Sequence, residues 1–82
     1  MPVNWGDYAA ERGAVPAYVQ LADFIAARIE DGSIAHGEQL PADRDLAQKA
    51  GHSVETAAKA KRVLVERGLA ATGRGLGTFV TA

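Results

Sequence analysis

Two helical patterns meet across three residues, Gly51-His52-Ser53, and that junction constrains the fold more than any other feature of the chain. Before it, Ala42 to Ala50 reads as a short helix, with Leu46 and Ala47 inward and Asp43 at the positive end of its dipole. After it, Val54 to Arg67 reads as a second helix. Ser53 is a good N-cap, Glu55 and Arg67 suit the first and last turns, and Gly68 is a stop. A short helix, a tight turn and a second helix make a helix-turn-helix unit.

The flanking segments complete the pattern. Pro16 to Asp31 reads as a helix because Tyr18, Leu21, Ala22, Ile25, Ala26 and Ile29 recur at three- and four-residue spacing. Gly32 ends it. The connection from Ser33 to Pro41 turns at Gly37 and Pro41, and Ile34 and Leu40 pin it to the core. Leu69 to Thr72 and Thr78 to Thr81 read as short strands around Gly73, Gly75 and Gly77, which alternate with Arg74 and Leu76. Three glycines in five residues at a hairpin tip mean backbone freedom or close approach to something. The expected fold is mostly α with a small β wing: a winged helix-turn-helix of three helices plus a two-stranded hairpin over residues 16–82. Residues 1–15 are an N-terminal extension of no sustained period, in which Trp5 and Tyr8 either fold back on the core or sit in a loose arm.

A chain of 82 residues has material for one small core. It contains no cysteine, and His36 and His52 stand far apart, so neither a metal site nor a cofactor is expected. No apolar run approaches the ~20 residues that span a bilayer, and Met1 to Tyr8 is not a secretory signal, so a cytoplasmic protein with no membrane partner is expected. The net charge of −1 hides an asymmetry. Residues 1–52 carry four basic side chains against eight acidic ones, whereas residues 53–82 carry five against two. A basic C-terminal part fits a localised anionic partner, although charged helix surfaces alone would give the same count.

Taken together, residues Val15 to Val80 resemble the DNA-binding domain of GntR-type bacterial transcription regulators. The resemblance rests on Tyr18-Val19-Gln20-Leu21-Ala22, Gly32-Ser33-Ile34, Gly37-Glu38-Gln39-Leu40-Pro41 and Asp43-Arg44-Asp45-Leu46-Ala47. It continues through Gly51-His52-Ser53, Arg67-Gly68-Leu69 and Gly73-Arg74-Gly75-Leu76-Gly77-Thr78-Phe79-Val80. Each piece is weak alone; their order and spacing carry the likeness.

The resemblance implies double-stranded DNA as partner, and it implies roles residue by residue. Arg44 matches an arginine of the second helix that reaches DNA. Ser53 opens the recognition helix, where its side chain and backbone N–H can meet a phosphate. Thr56 matches a first-turn threonine. Arg74 and Gly75 stand at the wing tip, which borders the minor groove. Lys59 and Arg62, later on the helix, could add contacts. Plain structural roles stand beside these: an Arg44 paired with Glu55 or another nearby acid, a simple N-cap at Ser53, a solvated Thr56, a solvated face for Lys59 and Arg62, and a hairpin that merely needs positive φ.

The chain departs from the family where arginines usually follow the Ser53 position directly and four residues later. Val54 and Ala58 stand there instead, and Glu55 places a negative charge nearby. Lys61 takes a usually apolar position, with its stem expected to pack and its ammonium to reach water. His52 is expected at the surface of the turn. Two functions follow: a sequence-dependent DNA-binding transcription regulator, or a winged-helix protein-interaction module. No nucleophile, carboxylate pair or metal set supports an enzyme. A module this small would bind DNA weakly alone, so a homodimer would help, formed through Trp5 and Tyr8, the first helix or DNA. No effector domain follows Val80, so no small-molecule effector is expected.

Overall fold

The computed structural model describes residues 3–73 and 75–82. Three helices, α1 (Ala17–Glu30), α2 (Asp43–Ala50) and α3 (Val54–Glu66), precede an antiparallel hairpin of β1 (Ala70–Gly73) and β2 (Gly77–Val80). Its register pairs Ala70 with Val80 and Gly73 with Gly77. Each helix stops within one residue of the sequence expectation, because the terminators are chemical. Gly51 closes α2 in the left-handed region at φ 73°, a conformation that a Cβ would strain. Two residues on, the Ser53 side chain accepts the Thr56 N–H and opens α3.

α3 is the centre of the fold and packs on both α1 and α2. Ala57, Ala60 and Leu64 lie on its buried face at three- and four-residue spacing. They meet Leu21 and Ile25 of α1 and Leu46 of α2 in one core cluster that Val80 completes. The small side chains of Ala57 and Ala60 suit close approach of the neighbouring helices. The large ones supply the energy, since fully burying a Leu or Ile side chain is worth about 1.5–3 kcal/mol.

The wing is held to the body more firmly than a free hairpin. The connector from α1 to α2 runs beside β2. Leu40 N–H donates to the Thr78 carbonyl at 2.8 Å, Gly37 N–H donates to that of Val80 at 2.8 Å, and Val80 N–H donates to that of Glu38 at 2.9 Å. The expected loop thus supplies a third, strand-like rung, with Gln39 bridged to Phe79. This matters because an isolated two-stranded hairpin is marginal in water.

Of the two expectations for the N-terminal segment, folding back is the one observed. Trp5 and Tyr8 place their rings 5.8 and 5.3 Å from that of Phe24, on the flank of α1. The Gln20 side chain fastens the following stretch. Its Nε2 donates to the carbonyls of Glu11 and Val15, and its Oε1 accepts from Glu11 N–H at 2.7 Å.

Candidate nucleic-acid interface

The exposed side of α3 carries Glu55, Lys59, Arg62 and Glu66, spaced so that successive turns stack them into one ridge. Lys59 Nζ lies 3.4 Å from Glu55 Oε1, and its ammonium stands 5.8 Å from the centre of the Tyr18 ring. Both partners of this pair are well exposed, so it leaves Lys59 available at small cost. Among the described residues Arg62 has no acidic partner, and neither does Arg44, which is exposed in the first turn of α2. The expected alternative of an Arg44–Glu55 pair is therefore not formed; Glu55 is taken by Lys59.

At the start of α3 the Ser53 hydroxyl does two things. It accepts the Thr56 N–H at 3.1 Å and donates to Thr56 Oγ1 at 3.0 Å. Ser53 is thus the N-cap, and Thr56 is tied to it rather than freely solvated. The first amides of the helix, those of Val54 and Glu55, have no intrahelical acceptor by the geometry of any α-helix.

Surface shape joins these pieces. Asp43 of α2, Ala58, Arg62 and Val65 of α3, and Thr72 and Thr78 of the wing line one shallow groove. The outer face of α3 and the wing strands therefore present a single continuous surface. Gly75 adopts φ 71° in open space, which is the backbone freedom expected there. Gly77, at φ 106°, serves close approach instead: an added Cβ would collide with the Gln39 side chain, whose Nε2 donates to the Leu76 carbonyl at 3.0 Å. Arg74, the wing-tip cation singled out in the sequence, lies outside the described residues.

Two expectations need correction. Lys61 does not send its ammonium to open water. The residue is buried and its Nζ sits 3.0 Å from Asp43 Oδ1, which ties α3 to the first turn of α2. No sequence rule links Asp43 to Lys61; only the packing angle of the two helices brings them together. His52 is not a free surface residue either. It is half-buried, its Nε2 stands 2.6 Å from the Tyr8 hydroxyl, and its ring packs edge-on at 5.5 Å. Burial pushes the Tyr8 hydroxyl above its usual value of 10.0. The extension is thereby latched onto the turn immediately before Ser53.

Three helices, a tight turn and a strapped hairpin, with exposed cations on α2 and α3 beside the wing, define a winged helix-turn-helix of the DNA-binding transcription-regulator class. The family model of bacterial regulatory proteins of the gntR family matches residues 17–80, and the chain belongs to that family. It is 38% identical over 80 residues to the HTH-type transcriptional regulator Rv0792c of Mycobacterium tuberculosis, covering 98% of this chain and 30% of that protein. It is 38% identical over 65 residues to the regulator GgaR of Escherichia coli, covering 79% of this chain and 26% of the other. The chain thus spans less than a third of the length of these relatives. Among solved structures, the AraR DNA-binding domain in complex with operator ORX1 superposes with a TM-score of 0.78 at 32% identity, over 90% of this chain and 92% of that one. YtrA from Sulfolobus acidocaldarius, a GntR-family transcription factor, gives 0.79 at 31% identity, over 85% and 73%. These likenesses favour DNA over the protein-interaction alternative. Among the described residues, no helix is long and apolar enough to cross a membrane.

Proposed function

We propose that the chain binds double-stranded DNA with α3 in the major groove and the wing alongside, as the DNA-reading part of a cytoplasmic transcription regulator. Arg44, Lys59, Arg62 and Arg74 neutralise phosphates. Ser53 offers a phosphate the first free amides of α3, and Thr56, whose Oγ1 accepts the Ser53 hydroxyl, has its own hydroxyl proton to give. Gly75 lets the wing backbone approach the minor groove. The observation that carries this reading is the shared groove, which sets the α3 face beside the wing strands with Arg62 on its rim. A homodimer would place two copies one helical turn of DNA apart. Trp5 and Tyr8 are engaged within their own chain, which leaves α1 or the DNA itself to pair the copies.

The test is fluorescence anisotropy on a random-sequence duplex across salt concentrations. Four neutralised phosphates give a slope of log affinity against log salt of about −3.6, roughly a hundredfold loss between 50 and 200 mM salt. Arg44→Ala is expected to lower that slope by about 0.9. Absence of binding at low salt, or a slope indifferent to Arg44→Ala and Arg62→Ala, would refute the reading.

A further inference from the structure

The first two turns of α3 are unusual for a surface meant to meet bases. A recognition helix reads base edges mainly with its N-terminal residues. Here Val54, Glu55 and Lys59 are exposed in those turns, and Thr56 and Ala58 are half-buried, with Thr56 tied to Ser53. Val54 is 49% exposed, and Val65, also exposed, continues the same strip about two turns beyond Ala58. Val54 and Ala58 stand four residues apart, on one face with their Cβ atoms about 5–6 Å apart. They project no polar group. Lys59, the only long donor in these turns, lies on the side of the helix facing Glu55 and Tyr18 and is assigned to a phosphate above.

The geometry points to a major-groove surface that reads thymine methyl groups through Val54 and Ala58, in place of guanine through arginine. The inference rests on the DNA-binding reading above. Guanine shows two acceptors, O6 and N7, in the major groove, and needs a donor opposite them. Val54 and Ala58 supply none, so guanine's acceptors stay unpaired opposite them. Thymine shows a C5-methyl, which apolar side chains such as Ala contact favourably. A spacing of about 5–6 Å between the two Cβ atoms, against about 3.4 Å of rise per base pair, sets the two methyls one or two steps apart. Selection therefore works in both directions, by attraction to thymine and by exclusion of guanine.

The experiment starts with selection from a random 20-bp duplex pool at low salt. The most enriched duplex is then titrated with thymine or with deoxyuridine at each conserved position. Deoxyuridine keeps the hydrogen-bonding edge and lacks only the methyl. The selected sites are expected to carry two thymines one or two steps apart. Replacing either should weaken binding about fourfold, the value of one buried methyl-sized group, and replacing both about fifteenfold. In Val54→Ser/Ala58→Ser the thymine-to-deoxyuridine ratio should fall toward one, whereas Val54→Thr, which keeps a methyl, should retain part of it. Equal binding of thymine and deoxyuridine duplexes overturns the inference. So does a guanine motif, an enriched pool without a motif, or a methyl effect that survives the double Ser variant. A pool in which no duplex is retained at low salt overturns the DNA-binding reading itself, and this shows before any deoxyuridine is introduced.

Discussion

The Asp43–Lys61 pair makes a prediction whose two halves differ in size. The ammonium is the buried partner, with its side chain 10% exposed, while the carboxylate side is 44% exposed. Removing the acid and removing the base are therefore different perturbations. Asp43→Ala leaves a cation in the interior without its counter-charge. A hydrogen bond to a charged group is worth about 1.5–3 kcal/mol, and an acid in the first turn of a helix adds about 0.3–1 kcal/mol. Because water reaches the Asp43 side of the pair, the lower part of the combined range applies, about 2 kcal/mol. For a domain of this size that lowers Tm by about 8–16 °C. Lys61→Met removes the buried charge and keeps the stem, so Asp43 returns to water at little cost. The expected change is within about 1 kcal/mol of zero, and it can be stabilising. Asp43→Ala/Lys61→Met should then be more stable than Asp43→Ala alone, retaining only the helix-dipole loss. Urea unfolding followed by far-UV circular dichroism at neutral pH measures all four corners of this cycle. If the two single variants lose stability equally, or their losses add in the double variant, Lys61 is not a buried charge held by Asp43, and the reasoning fails.

Two further predictions concern the segments around the domain. Tyr8→Phe keeps the ring against Phe24 and removes only the bond to His52, and should cost about 0.5–1.5 kcal/mol in the same urea assay; a loss no larger than the error would show that the latch is packing alone. Asp31, at the end of α1, has its carboxyl lowered from 3.8 by hydrogen bonds from Ser33, and then by Arg28. A carboxyl lowered on folding contributes stability that is full above the unfolded value and is lost as pH falls through the folded one. Asp31→Asn should therefore be less stable than the parent at pH 7 and should converge on it below pH 3.8; a stability difference that stays constant down to pH 2 would contradict the assignment.

The parts of the fold that were legible in the sequence are those fixed by local chemistry. Gly32, Gly51 and Gly68 mark where helices stop, Ser53 marks where one starts, and the Leu21–Ile25–Ile29 stripe marks a buried face. None of these depends on where the rest of the chain goes. Features that escaped the sequence are pairings between distant segments. Gln39 and Phe79, Tyr8 and His52, and Asp43 and Lys61 are each separated by many residues, and none announces its partner. Lys61 was visible as an exception, a charge on an apolar stripe, and that signal was right about the stem and wrong about the ammonium, which Asp43 holds instead of water. Gln20 could have been noticed as a polar residue on a helix entering from an irregular segment, but its amide is read only when the chain before it is placed.

Charge shows how the same distinction bears on function. A net charge of −1 argues against a DNA surface only if the charges act where the sequence lists them. In the fold they are sorted. Asp23 pairs with Arg67 at 2.8 Å, Asp31 with Arg28 at 2.7 Å, Asp43 with Lys61, and Glu55 with Lys59. Four acids are thus spent inside the chain, three of them from its acidic first half. Of the unpaired acids among the described residues, Asp7, Glu11, Glu30 and Glu38 lie outside α2 and α3. Of the unpaired cations among the described residues, Arg44, Lys49 and Arg62 lie on those two helices, which hold only Asp45 and Glu66 against them, and Arg12 lies in the N-terminal segment. On the DNA-binding reading proposed above, Arg44 and Arg62 stand at the edges of the reading surface, while the first two turns of α3 present Val54, Ala58 and a compensated Glu55. Phosphate attraction from the edges sets affinity and register without reading sequence. Discrimination is left to the apolar strip, where each methyl contributes only a few-fold. Such a surface should hold DNA chiefly at low salt and choose among sequences by modest steps, so its selectivity should grow when two copies read one site together.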